Sequence, residues 1–140
     1  MAAVRFKKIL LGYDGSDGSR KAVDLAAELA RTYKASIIVV CAFHPMPRVT
    51  QPDPDDFKEI HEARALADEL VEELKASGID AEPDVLEGPP PEALLNAAEA
   101  HKADLIVVGS RGFGQFKGLL LGSTSDRIVH YATIPVLVAR

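Results

Sequence analysis

The chain has 140 residues, 47% of them hydrophobic and 26% charged, with a formal net charge of −5. That length fits one domain, residues 1–140, with a core of useful size, and the excess of acids argues against nucleic acid as a partner, since a general binder shows a basic face. No apolar run approaches the roughly 18 residues that span a bilayer, no apolar stretch of a signal peptide follows the basic N-terminal residues, and the single cysteine, Cys41, rules out an internal disulfide; together these predict a cytoplasmic protein with no membrane association.

The first element is the apolar run from Ile9 to Tyr13, read as a strand. A helix over about 17–33 follows, with Val23, Ala26, Ala30 and Tyr33 on one stripe and Ser16 or Asp17 as its N-cap. A longer apolar strand runs from Ser36 to Phe43. The stretch from His44 to Asp56 holds four prolines and no periodicity. It reads as a long loop, either framing a ligand crevice or serving as a plain connector. The next helix, about 55–77, places Phe57, Ile60, Leu66, Leu70, Val71 and Leu74 on one face, with Gly78 just past its end. A weaker strand over about 81–86 carries Glu82 and Asp84 and reads as a sheet edge. A helix over about 91–102 opens on prolines, which suit a first turn. The strand Leu105–Val108, a helix over about 123–131 and the strand Pro135–Ala139 complete the chain.

None of the strong strands alternates polar with apolar residues, as expected where helices cover both faces of a parallel sheet. Strand and helix repeat four times before the final strand. That order predicts right-handed βαβ units in a single α/β, doubly wound domain.

The most informative segment is Gly109-Ser-Arg-Gly112, followed by nine residues and then Gly122-Ser123. A buried strand feeds the first glycine, and a helix starts at the last. Glycines let a backbone approach a ligand, and a helix start offers free N–H groups to an anion, so the arrangement suits a nucleotide phosphate. The alternative assigns the glycines to turns and makes Ser123 an N-cap, in a capping box with Asp126. Charge favours the same region: residues 101–140 carry five Lys or Arg against two Asp or Glu, and the rest carries eleven against nineteen. The chain has neither the Walker A pattern nor a G-x-G-x-x-G series, so a P-loop or dinucleotide site is not expected.

Asp14, at the end of the first strand, stands next to the switch point of such a sheet. It is either a ribose- or base-binding carboxylate or an Asx-turn residue in a glycine-rich bend. The histidines at 44, 61, 101 and 130 lack metal spacing. His61 and His101 fall on polar helix faces and are expected in solvent, and Cys41 is expected as a small core residue. No Ser-His-Asp or Cys-His arrangement can be assembled, so no catalytic residues and no metal ligands are assigned.

These residues resemble the universal stress protein family, and specifically its ATP-binding branch. The resemblance covers nearly the whole chain. It opens at Lys8-Ile-Leu-Leu-Gly-Tyr-Asp14-Gly-Ser, includes the G-x2-G-x9-G-S/T series, and closes at Ile134-Pro-Val-Leu-Val-Ala-Arg140. It implies a five-stranded parallel sheet in the order 3-2-1-4-5, with ATP between strands one and four. It implies that Asp14 meets the ribose or adenine and that the backbone of Ala42 meets adenine. Gly109 and Gly112 would line the ribose and phosphates. Gly122, Ser123 and Thr124 would hold the phosphate tail with a divalent cation, magnesium or manganese. Val108 and Ser125 match less specific site positions, and Arg111 either reaches phosphate or faces solvent. The resemblance further implies a homodimer through the last strand. ATP would regulate the conformation of the protein or its dealings with protein clients, with slow hydrolysis at most.

Overall fold

In a strand, successive side chains point to opposite faces, so a run that is apolar throughout needs an apolar cover on each side. The computed structural model describes residues 6–43, 58–110 and 122–140 and shows both covers. The elements run β1 (Lys8–Gly12), α1 (Asp17–Tyr33), β2 (Ser36–Phe43), α2 (Lys58–Ala76), β3 (Ala81–Glu87), α3 (Pro90–His101), β4 (Leu105–Gly109), α4 (Ser123–Tyr131) and β5 (Val136–Ala139). All strand pairs are parallel, in the order β3-β2-β1-β4-β5. The expected fold is therefore present. The long loop 44–56, the helix start before residue 58 with Phe57, and Arg111 and Gly112 lie outside the described residues.

On one face Ile9, Leu11, Ile37, Val39, Cys41 and Val107 meet Ala22, Val23, Ala26 and Ala30 of α1 and Ala67, Leu70 and Leu74 of α2. On the other, Leu10, Ile38, Val40, Ile106 and Val108 meet Leu94, Ala97 and Ala98 of α3 and Ile128 of α4. Truncating a central residue such as Leu10, which has no exposed surface, costs about 2–5 kcal/mol. The alanines of α1 hold its axis close to the sheet. Tyr33 departs from the expected stripe. It is 40% exposed, and its ring packs edge-on against Phe6, centroids 5.3 Å apart, because the helix has by then passed the end of the strands.

At the amino end of the sheet, Asp104 accepts from the N–H groups of Lys7 (2.8 Å) and Lys8 (2.9 Å), and its own N–H donates to the Lys8 carbonyl (2.8 Å). This pins β1 to β4 before the ladder begins. Gly78, past the end of α2, has φ +81°, as its place suggested, whereas α1 and α3 close on Lys34 and Lys102 in the left-handed region. The edge strand β3 holds Pro83 and the charged Glu82 and Asp84, devices that discourage further pairing. His101 is not solvated as expected: its Nε2 lies 2.7 Å from Asp84, tying the end of α3 to that edge.

Candidate functional site at the carboxyl end of the sheet

Parallel strands leave a crevice at their carboxyl ends where neighbouring connections depart in opposite directions. Here β1 leads to α1 on one face, and its neighbour β4 leads toward α4 on the other. Asp14 stands two residues past β1 and is half-buried. Its Oδ1 accepts from the Ser16 N–H at 2.9 Å, so the Asx-turn half of the reading for Asp14 is present. Ser16 in turn caps α1, accepting from the Ser19 N–H at 3.2 Å. The turn residues thus spend their hydrogen bonds on the start of α1.

Ala42, half-buried, lies two residues beyond Val40, whose carbonyl takes the Tyr13 N–H at 3.0 Å. Val108 is buried, and Gly109 ends β4. Gly109 has a structural reason of its own. A Cβ there would lie 2.5 Å from the Gly18 carbonyl oxygen, in the first turn of α1. Gly122, Ser123, Thr124 and Ser125 come to the same end of the sheet, because the Gly122 N–H donates to the Ser110 carbonyl. Eight of the ten residues expected at the site therefore share one end of the sheet, and Arg111 and Gly112 lie outside the described residues.

The start of α4 differs from the capping box expected from its sequence. The N-cap is Gly122, extended at φ −72° and ψ 167°, and among the described residues no side chain caps the helix. Ser123 is the first helical residue and is exposed. The register is set by Gly122, whose carbonyl accepts the Asp126 N–H at 2.9 Å, so Ser123 stands one place too late to cap. The N–H groups of a first turn have no partner within the helix. Gly122 offers no side chain to the N–H groups of this turn, which lie at the positive end of the helix dipole. The contrast with α1, capped by Ser16, is direct.

Two residues of this end were not expected from sequence. Ser110 is 9% exposed, and its N–H donates to the Ala139 carbonyl at 2.6 Å while its carbonyl accepts from α4. Gly18 makes room for Gly109. Neither carries a pattern of its own: a serine after a strand and a glycine in a first turn are common, and only the packing marks them. Cys41 lies beneath the site, 2% exposed. Burial, then the charges of Asp14 and Asp68, push its thiol up to about 12, so it resists forming a thiolate at neutral pH. Among the described residues, no three His, Cys, Asp or Glu side chains are grouped to hold a metal ion.

The site can be set beside known proteins. A model of the universal stress protein family matches residues 5–140. A universal stress protein of Thermus aquaticus is 41% identical over 139 residues, covering 96% of this chain and 99% of that relative. One from Methanocaldococcus jannaschii is 33% identical over 142 residues, covering 96% of this chain and 82% of the other. The crystal structure of a universal stress protein in complex with cAMP aligns at TM-score 0.75 and 30% identity, over 98% of this chain and 99% of that one. With the parallel order β3-β2-β1-β4-β5 in place as well, the chain belongs to the universal stress protein family.

Proposed function

We propose that this protein binds ATP at the carboxyl ends of β1 and β4 and acts as a nucleotide-regulated stress-response module. The observation that carries the reading is the start of α4, held by Ser110 at the carboxyl end of the sheet, with glycine at its N-cap and no side-chain cap among the described residues. Gly122, Ser123 and Thr124 supply N–H and hydroxyl groups for the phosphate tail, completed by Gly109, Arg111 and Gly112. Asp14, Ala42 and Val108 frame the nucleoside. The cAMP complex of a relative 30% identical supports an adenine nucleotide as the ligand class. A magnesium or manganese ion would ride on the triphosphate rather than on a set of protein carboxylates. The proposal further holds that the nucleotide biases the protein's conformation or its contacts with client proteins in the cytoplasm, with slow hydrolysis at most, and that two copies pair through β5.

Mass spectrometry of small molecules released from the purified protein, with calorimetry against ATP, tests this. Gly122→Val is the matching variant. Its φ of −72° admits any residue, so valine there tests space for the ligand and not backbone strain. Undiminished ATP affinity in folded Gly122→Val would remove Gly122 from the site.

One observation favours a second reading, an interaction protein of this fold that binds no nucleotide. Gly109 and Asp14 both have complete structural reasons, packing on Gly18 and the turn to Ser16. Absence of any ATP-dependent heat in the wild type would select it.

A further inference from the structure

Ser125 is 1% exposed and stands in the first turn of α4. A serine hydroxyl has one hydrogen to donate. Here it is directed between two backbone carbonyls, that of Ser110 at 3.0 Å and that of Gly122 at 3.1 Å. The Ser110 carbonyl also accepts the Gly122 N–H, and the Ser110 N–H donates to Ala139. The end of β4, the start of α4 and the end of β5 thus meet at Ser110.

We infer that Ser125 is a positioning residue for the nucleotide site, acting as a clasp that fixes the first turn of α4 against the end of β4, and that it does not touch the ligand. The inference rests on the nucleotide reading above. The hydroxyl is buried and its hydrogen is committed to carbonyls, so it has nothing to offer a phosphate. What it controls is the aim of its neighbours. Ser123 and Thr124 present their N–H groups correctly only while α4 keeps its place over β4. Loss of the hydroxyl leaves the helix formed, because Asp126 still bonds to Gly122. It removes the one side-chain donor shared by the Ser110 and Gly122 carbonyls, each of which keeps a single backbone N–H, and the turn is then freer to shift.

The test uses the full chain and two readouts. In ligand-free protein, amide exchange at Gly122 should rise about tenfold or more in Ser125→Ala, with Ile106 in the core unchanged. ATP affinity, by calorimetry, should fall about tenfold. Ser125→Thr, which restores the hydroxyl, should recover both. If the alanine variant does not fold, Ser125→Cys, close in size but a weak donor, carries the same expectation. Wild-type exchange at Gly122 in the alanine or cysteine variant overturns the clasp. Faster exchange with wild-type ATP affinity overturns the positioning role and leaves a structural bond. A wild type that binds no ATP overturns the nucleotide reading and the positioning role with it, while the exchange measurement still decides whether the clasp exists.

Discussion

Gly109 and Gly18 face each other backbone to backbone: a Cβ on Gly109 would lie 2.5 Å from the Gly18 carbonyl oxygen and 2.6 Å from its carbonyl carbon. Backbone atoms cannot swing aside as a side-chain tip can, so a methyl group at Gly109 must push α1 away from β4. Gly109→Ala is expected to destabilise the fold by roughly 1–3 kcal/mol, seen as a fall of several degrees in Tm. A variant as stable as the wild type would show that α1 yields without cost and return Gly109 to a purely ligand-binding role.

Asp14 holds a turn and is proposed to meet a nucleoside, and two substitutions separate these roles. Asp14→Asn keeps an acceptor for the Ser16 N–H at the position of Oδ1 and should leave stability unchanged. Asp14→Ala should weaken ATP binding about tenfold or more, the worth of a hydrogen bond to a charged group. Calorimetry beside thermal melts checks both. An alanine variant that melts early yet binds ATP like the wild type makes Asp14 a turn residue and nothing else.

The strand β5 pairs with β4 on one side and ends the sheet on the other. Its Val136, Leu137 and Val138 are only half-buried, and unlike β3 it carries no proline or charge within its four residues. An unguarded apolar edge is an aggregation hazard that a two-fold partner strand removes. Pro135 lacks an N–H and stands just before the strand, where it does not interrupt pairing. Light scattering at micromolar concentration should show a dimer, and lysines at Val136 and Val138 should give monomers or insoluble protein. A monomeric wild type would contradict the proposal.

Arg20 of α1 and Glu73 of α2 pair in a fork, with one arm at 2.9 Å. The hydrogen bonds from Arg20 hold the Glu73 carboxyl below its ordinary range, while Glu73 raises Arg20 further above neutrality. A carboxyl with a depressed folded pKa adds stability above its unfolded pKa and loses it as pH falls through the folded value. The pair joins two helices, but its side chains are 42% and 48% exposed, and solvent screening limits it to about 0.5 kcal/mol or less. Glu73→Gln should therefore cost that much at pH 7 and less at pH 3. Urea unfolding at the two values measures it, and an equal cost at both would refer the effect to packing.

Sequence alone determined the layers and their order of appearance. Runs such as Ile37–Phe43 are apolar at every position because both faces of β2 are covered, and the stripe Val23, Ala26, Ala30 is apolar at helical spacing because one face of α1 is. These patterns are local, and each is written in the residues that form the element. Gly109 at the end of β4 and Gly122 before α4 were legible for the same reason, since each stands at the boundary of a local pattern. Tertiary structure decided what lies between elements. Ser123 reads as a cap, but Gly122, tied to Ser110 and accepting from Asp126, takes the N-cap place one residue earlier. Gly109 reads as a ligand residue, yet its need for glycine comes from Gly18, 91 positions away in the chain. His101 reads as solvated, and Asp84 on a neighbouring strand claims it. Each of these depends on a partner brought near by closure of the fold, and a one-dimensional pattern carries no distance between residues so far apart.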